Sequence, residues 1–401
     1  MLKQVVPPIS STLRPIVLAA AIFITFSIIY GVAAEHLSYL AFENNDAFFD
    51  ADTYDTTRAM EQLTFSGDMQ RHLLFSLVAS TLVRIVNFTA AFGVRDSIIV
   101  TIALLGAINV ATCFLLLRAV LKDDISALAF AALYGVAISN LVIFSLPETY
   151  SVTNMFIFLY VACLVPRWRS LSPSDGILLS IVAGVGALAN PPLLSLVSIH
   201  AFVVWRNENL RQALRVGIVG STVAIGLYFI LAAVIRGPSL SVRYPAYYLL
   251  QWASFDNFID LEAIAHVITT FLMFSVVSPV AVIGENIELR DAVGFLARPT
   301  AFAAALVWLG LVTGSIVSSV REDDVFAQAL LVWTALLTVF YVFFYPWGAI
   351  LYSPQISIPL IVVVATLGSR RLGRWNWAAG AILAALCGYH HVTAVLSTPV
   401  S

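Results

Sequence analysis

Long apolar runs with almost no charge constrain this 401-residue chain more than any other feature of its sequence. Apolar residues make up 60% of the chain and charged residues only 11%, whereas a soluble domain averages about 25% charged residues. Because a backbone in lipid must satisfy its hydrogen bonds within each segment, continuous runs of this kind indicate helices. The sequence therefore predicts an all-α, polytopic transmembrane helical bundle, and it excludes a soluble enzyme and a disordered regulator.

The charge balance excludes nucleic acid as a partner. There are 21 Lys and Arg against 23 Asp and Glu, so no basic excess exists to bind a phosphate backbone. The chain also has no Walker loop, no GxSxG sequence and no HExxH sequence. Any donor of energy or of a chemical group must therefore reach a site at the membrane itself.

Eleven runs have the composition of membrane crossings, each of which needs about 20 apolar residues. These runs are 16–34, 97–117, 125–145, 150–165, 176–189, 191–205, 216–235, 299–319, 326–344, 355–368 and 376–396. Segments 73–92 and 266–284 are also apolar but carry polar residues, and crossing by both would raise the count to 13. We expect 266–284 to dip into the membrane and return.

Segment 73–92 carries its polar side chains on one side of a helix. Five polar residues follow one another at spacings of four, four, four and three residues, namely His72, Ser76, Ser80, Arg84 and Asn87. If the helix crossed, Arg84 would lie near mid-bilayer at a cost of about 2.5–3.5 kcal/mol. We therefore expect an interfacial helix, or one packed on the bundle with its polar stripe toward a wet cavity.

The basic residues orient the chain. With a cytoplasmic N-terminus and neither doubtful segment crossing, short cytoplasmic loops hold 13 of the 21 basic residues. Those 13 are Lys3, Arg14, Arg118, Lys122, Arg167, Arg169, Arg206, Arg211, Arg215, Arg321, Arg370, Arg371 and Arg374. The chain then forms a single membrane domain, 1–401, with large external loops at 35–96 and 236–298 and C-terminal helices at 299–401. Long loops without linker composition are usually functional, and we expect both to carry interfacial helices.

An acidic patch lies in the first external loop. Residues 46–55 contain four aspartates beside three aromatic rings, which anchor such a loop at the membrane interface. Asp50, Asp52 and Asp55 are therefore candidate site carboxylates near the lipid headgroups. Alternatively, Asp52 caps a short helix that begins at Thr53, with Asp55 in its first turn.

Further candidates follow the acidic patch along the chain. Arg71 and His72 could hold a phosphate or orient a carboxylate, although for Arg71 alone the sequence favours a side chain that snorkels to the headgroups. Glu148 stands among apolar residues between two spans, where it either faces the same cavity as Asp52 or ends a helix. Near the C-terminus, His390 and His391 are typical of an interface rather than of a metal site.

The second external loop and a later proline-rich segment supply the remaining candidates. Arginines among tyrosines at an interface suit a lipid-phosphate site, and an aromatic belt accounts for the same residues. The residues concerned are Arg236, Arg243, Tyr244 and Tyr247. Tyr352 and Gln355 lie in a segment with two prolines. We expect this segment to be irregular and external, and to close the cavity that Asp52 is expected to face.

These residues together resemble the GT-C superfamily of integral membrane glycosyltransferases, which use polyprenyl-phosphate sugars. The resemblance covers about the first 260 residues. It rests on the first span followed by the sequences Phe49-Asp50-Ala51-Asp52, His72-Leu73-Leu74-Phe75 and Pro147-Glu148-Thr149-Tyr150. Leu73 stands where the family often has proline.

The resemblance implies an inverting transfer of a sugar from a polyprenyl-phosphate donor to an acceptor hydroxyl. The acceptor would be a glycan, a lipid or a protein at the periplasmic face of a bacterial inner membrane, for which the short loops are typical. Asp52 would be the general base, with Asp50, Asp55 and Glu148 as supporting acids. The phosphate would be held by Arg71, His72, Arg236 and Arg243, and the lipid or cavity would be lined by Tyr244, Tyr247, Tyr352 and Gln355. No cofactor is required; the clustered carboxylates leave a divalent metal open.

Two other classes stay open. One is a polytopic transporter or lipid flippase, which would place charges at the midplane of its crossing helices, whereas the charges here lie in loops. The other is a polysaccharide polymerase or ligase that handles lipid-linked glycans outside the membrane.

Overall fold

The regular structure of the described residues is helical throughout, as the apolar runs predict. The computed structural model describes residues 9–42, 51–63, 69, 72–236, 253–278 and 298–399. The α-helices in these ranges are α1 (Ile9–Ala41), α2 (Thr53–Gln62), α3 (Leu73–Ala90), α4 (Val94–Leu121), α5 (Asp124–Val136), α6 (Ile138–Ile143), α7 (Tyr150–Leu164), α8 (Pro173–Gly186), α9 (Val197–Asn207), α10 (Leu210–Arg236), α11 (Leu261–Thr269), α12 (Pro299–Arg321), α13 (Val325–Phe344), α14 (Ala349–Leu372) and α15 (Asn376–Leu396).

Eight helices in the described ranges are long and apolar enough to cross a membrane, so the chain is an integral membrane protein. They are α1, α3, α4, α10, α12, α13, α14 and α15. The runs at 150–165, 176–189 and 191–205, which we predicted as separate crossings, form α7, α8 and α9. These helices have 15, 14 and 11 residues, fewer than the roughly 20 that a bilayer core requires. The count of eleven crossings stays a prediction.

Helix α14 lies at the centre of the bundle. It packs against α5, α7, α12 and α13, and it is buried on all sides from Ala349 to Gly368 except at Tyr352. Its early turns correct our expectation of an irregular segment, because Tyr352 and Gln355 are helical and only Pro346–Gly348 forms a 3₁₀ turn. Packing outweighs the proline signal here, and the Asn154 amide donates a hydrogen bond to the Pro354 carbonyl (3.1 Å).

The predicted span 125–145 is interrupted at Ala137, between α5 and α6. The break frees backbone groups on both sides, and distant segments pair them. The Val136 carbonyl accepts a hydrogen bond from the His391 ring (2.6 Å), and the Ile138 N–H donates to the Val276 carbonyl (3.3 Å). A buried helix break is tolerated in a membrane protein only when such partners exist.

The partner of this break is the segment that we expected to dip into the membrane. Helix α11 continues through a π-helical turn at Thr270–Phe274 and reaches Ser278, which is fully buried. The Ser278 N–H donates to the second ring nitrogen of His391 (3.0 Å). The predicted return, residues 279–284, lies outside the described residues. His391 is fully buried, so our assignment of this histidine to the interface is wrong.

Ion pairs join helix ends at one face of the bundle, which we name the ion-paired face. Asp124, at the start of α5, pairs with Arg14 near the start of α1 and with Arg118 near the end of α4. Further pairs at the turns between helices are Arg167 with Asp175, Arg206 with Asp323, and Arg370 with Asp324. Helix α15 starts at this face as well, since a Cβ on Gly380 would lie 3.2 Å from Ala129 in the first half of α5.

Candidate functional site

The segments that carry Asp52, His72 and Glu148 pack on one apolar cluster, which we name the outer cluster. Its buried members come from α2, α3, α4, α7 and the connections beside them. They are Ala59, Met60, Met69, Phe75, Ala79, Val83, Ile98, Ile102, Leu105, Val152 and Ala189. Ile98 and Ile102 belong to the early turns of α4, which is about 40 Å long and ends at the ion-paired face. The outer cluster therefore lies toward the opposite face.

Asp52 stands immediately before α2, which begins at Thr53 as the capping interpretation predicts. Its side chain nevertheless makes no capping hydrogen bond. Instead the Asp52 carbonyl accepts from the Thr56 N–H (2.9 Å) and from the Thr56 hydroxyl (2.8 Å). The reason is the backbone, because Asp52 has φ −74° and ψ 47°, whereas a capping side chain needs the extended region. The half-buried carboxylate of Asp52 therefore does not cap α2.

His72 fixes the start of α3 to the connection between α8 and α9. Its Nδ1 lies 2.6 Å from the Ala189 carbonyl, so this nitrogen carries the proton and donates. Two residues later the Leu74 N–H donates to the Leu188 carbonyl (3.0 Å). The pair of bonds satisfies donors at the helix start and sets the orientation of the buried imidazole.

The polar stripe of α3 divides between two environments. Ser76 and Ser80 are buried in the bundle, and the Ser80 hydroxyl has no hydrogen-bond partner among the described residues. Arg84, farther along, is exposed. The start of the stripe thus fits the predicted packing on the bundle, while its second half faces outward.

Glu148 is 5% exposed, in the turn between α6 and α7. Its Oε2 accepts a hydrogen bond from the Thr149 N–H (2.9 Å). The adjacent Thr149 hydroxyl is buried without a partner among the described residues. A carboxylate that merely ended a helix would lie in solvent, because burying a charge is costly. The burial of Glu148 therefore favours the first of our two interpretations, a carboxylate that faces an internal cavity.

Tyrosines connect the start of α14 to the segment of Glu148. Tyr352 stacks on Tyr341 with ring centroids 4.0 Å apart, and it meets Tyr150 edge to face at 6.2 Å. Gln355 is fully buried, and its amide donates to the Tyr341 hydroxyl (3.4 Å). Tyr352 and Gln355 thus lie on the same side of the bundle as Glu148, in a helix rather than in the irregular segment that we expected.

Asp55 lies in the first turn of α2, where the capping interpretation predicted it. The remaining candidates lie outside the description: Asp50, Arg71, Arg243, Tyr244 and Tyr247 fall outside the described residues, and of Arg236 only the backbone, at the end of α10, is described. The predicted phosphate-binding set therefore stays a prediction, and His72 is its one member whose side chain the structure describes. No group of three His, Cys, Asp or Glu that could hold a metal occurs within the described ranges.

Sequence reasoning missed several residues beside the candidates. Asn190, next to the carbonyl that binds His72, is buried, and its amide nitrogen has no partner among the described residues. The Arg95 guanidinium donates to the Ser38 hydroxyl (2.7 Å) and lies over the Tyr39 ring (4.6 Å), which holds a cation between the ends of α1 and α4. The Asn190-Pro191-Pro192 sequence could have drawn attention to Asn190, because two prolines interrupt a helix there. No local pattern in the sequence distinguished Arg95.

Comparison of the chain with protein-family models and with curated proteins gives no match in either case.

Proposed function

We propose that this protein is a GT-C-type membrane glycosyltransferase, which moves a sugar from a polyprenyl-phosphate donor to an acceptor hydroxyl. One observation carries the proposal: the segments of Asp52, His72 and Glu148 converge on the outer cluster, and Asp52 stands before α2 without capping it. Acidic side chains gathered at one end of a bundle, beside a buried imidazole, can serve proton transfer and charge stabilisation at a membrane surface.

The proposed reaction is a single displacement at the anomeric carbon. Asp52 takes the proton of the acceptor hydroxyl as its oxygen forms a bond to that carbon. The bond between the anomeric carbon and the phosphate oxygen breaks, and its electron pair leaves with polyprenyl phosphate, so the carbon inverts. Cations offset the charge of the departing phosphate. The set proposed for this role is His72, Arg71, Arg236 and Arg243.

Glu148, Asp50 and Asp55 are proposed to hold the acceptor, which would be a glycan, a lipid or a protein. Glu148 is buried beside this region, where a low dielectric strengthens its hydrogen bonds and electrostatic interactions. Tyr352 and Gln355 border this region on the bundle side, with Tyr244 and Tyr247 proposed on the donor side. A lipid monophosphate leaving group needs no divalent metal.

Two alternatives make different demands on the fold. A transporter would need charged groups inside crossing helices. Within the described helices, no Asp, Glu, Lys or Arg is buried, and the buried polar side chains are amides, hydroxyls and a few histidines. The Asn109 amide, for example, donates to the Ser151 carbonyl, and the Asn140 amide donates to the Tyr134 carbonyl. A polymerase or ligase acting on lipid-linked glycans shares the donor chemistry, and only its acceptor would distinguish it.

We further propose that the ion-paired face is cytoplasmic, with the outer cluster toward the periplasm of a bacterial inner membrane. Helix α8 starts at the ion-paired face and is about 20 Å long. Ala189 follows its far end and binds His72 at the start of α3, so α3 starts about 20 Å from the ion-paired face. The other end of α3 adjoins the start of α4, about 40 Å from the same face. Helix α3 would then occupy the outer half of the membrane without crossing from face to face.

Cysteine labelling tests this orientation. In a Cys163→Ser background, whose remaining cysteines are buried, an impermeant maleimide should modify Gly93→Cys in intact cells. It should modify Lys122→Cys only after permeabilisation, because Lys122 follows α4 at the ion-paired face. Labelling of Gly93→Cys only from the cytoplasm would show that the orientation is wrong.

The function itself is tested with a panel of short-chain polyprenyl-phosphate sugars. The purified protein is incubated with each donor and with a membrane extract that supplies acceptors, and mass spectrometry follows the release of free polyprenyl phosphate. We expect release from one donor, together with a glycosylated product. No release from any donor would contradict the proposal and favour the transporter, whereas transfer of a whole glycan chain would favour the polymerase or ligase.

A further inference from the structure

A groove between α9 and α10 opens on the outside of the bundle. It has a volume of about 810 Å³ and a lining that is almost entirely apolar, including Phe202 and Trp205 on α9. Leu214 and Ile218, on its α10 wall, are more than half exposed. In a membrane such side chains face lipid, so the groove is open to an acyl chain.

The groove lies near the ion-paired face. Its α10 wall is formed by the part of the helix from Leu210 to Gly226, which begins beside the ion-paired face. Arg206, which precedes this helix, pairs with Asp323 at the ion-paired face. The groove therefore lies at the opposite end of the bundle from the outer cluster, and it is separate from the site proposed for glycosyl transfer.

Two cations stand at the end of the groove. Arg211 and Arg215 are exposed, one helical turn apart, on the side of α10 that continues into Ile218 and Thr222 of the groove wall. Unlike Arg206, neither makes an ion pair within the part of the chain that the structure describes. The neighbouring carboxylate, Glu208, lines a different and smaller cavity on the other side of α10.

We propose that this groove binds an anionic glycerophospholipid from the leaflet at the ion-paired face. One acyl chain lies between α9 and α10, and the Arg211 and Arg215 guanidinium groups hold the phosphate. Arginine suits this role because its planar fork makes paired hydrogen bonds to phosphate oxygens. Basic groups between membrane helices favour anionic headgroups, and Trp205 sits where an interfacial indole anchors. A zwitterionic headgroup would gain little, since its own ammonium offsets the phosphate.

Native mass spectrometry of the purified full-length protein measures the binding. Dioleoyl-phosphatidylglycerol or dioleoyl-phosphatidylcholine is titrated in detergent, and the lipid-bound fraction is followed. Each cation near the headgroup strengthens binding about fivefold, so with two arginines phosphatidylglycerol should bind about 25-fold more tightly than phosphatidylcholine. The Arg211→Gln/Arg215→Gln variant should lose that preference. The matched control is Lys122→Gln/Arg321→Gln, which removes the same charge from the same face and should keep it.

A second variant tests the groove separately from the charges. A Cβ on Gly217 would meet only Ala201, at an ordinary 3.5 Å, so Gly217→Leu should fold while filling the groove floor. It should weaken binding of both phospholipids. The proposed site would be overturned if the Arg211→Gln/Arg215→Gln variant still preferred phosphatidylglycerol to phosphatidylcholine. It would also be overturned if the Lys122→Gln/Arg321→Gln control lost that preference to the same extent. Tighter binding of undecaprenyl phosphate than of phosphatidylglycerol would overturn the choice of ligand.

Discussion

Replacement of Asp52 by Asn should lower the turnover number for release of polyprenyl phosphate about 100- to 10,000-fold, the range that a positioned general base contributes. Asparagine keeps the shape of the side chain but cannot take the acceptor proton. Since the proton moves only as the new bond forms, KM for the donor should change little. The measurement is initial rate against donor concentration for the wild type and Asp52→Asn.

The variant should fold normally, because α2 begins on the carbonyl of Asp52 rather than on its carboxylate. An unchanged thermal midpoint would show this. Glu61→Gln is the matched control, since Glu61 lies exposed on the same helix and the substitution removes the same charge. If both variants lost activity equally, the effect would come from the charge of the loop. Full activity in Asp52→Asn would remove Asp52 as the base and transfer that role to Asp50 or Glu148.

Replacement of His391 by Leu should destabilise the protein by about 2–6 kcal/mol. The two ring nitrogens of His391 pair the Val136 carbonyl and the Ser278 N–H, and both groups are buried. Leucine leaves both without a partner, and each buried unpaired group costs about 1–3 kcal/mol. Thermal unfolding in detergent, followed by circular dichroism, should show a lower midpoint.

Two further variants make this result specific. His391→Gln offers one donor and one acceptor, so it should recover part of the lost stability. Tyr389→Leu changes an exposed residue on the same helix and should leave the midpoint near that of the wild type. A wild-type midpoint in His391→Leu would mean that the break at Ala137 is stabilised by other contacts, such as the bond from Ile138 to Val276.

The sequence predicted those parts of the fold that depend on local pattern. The apolar runs located α1, α4, α10, α12, α13 and α15, and the start of α2 at Thr53 followed from the residues around it. The interruption at Ala137 could not be predicted, because its partners, Val276 and His391, lie more than 100 residues away. The helical start of α14 was missed for a similar reason, since surrounding helices outweigh its prolines.

The candidate site divides in the same way. The presence of acids near the first span was readable from the sequence, as was their position beside a short helix. The Asp52 side chain does not cap α2 because of the backbone conformation of Asp52 itself. No residue pattern in the sequence specified that conformation. The attachment of His72 to Ala189 joins residues 117 positions apart, and periodicity carries no information about such pairs.

The central position of α14 has a consequence for the order of assembly. Helices that precede it and the helix that follows it both cover its surface. Until α15 has been synthesised, the ribosome-bound chain must therefore hold an incomplete bundle around its most protein-enclosed helix. Helix α14 therefore gains its complete covering only once α15 has inserted beside it, so its packing is finished well after the helices that precede it have entered the membrane.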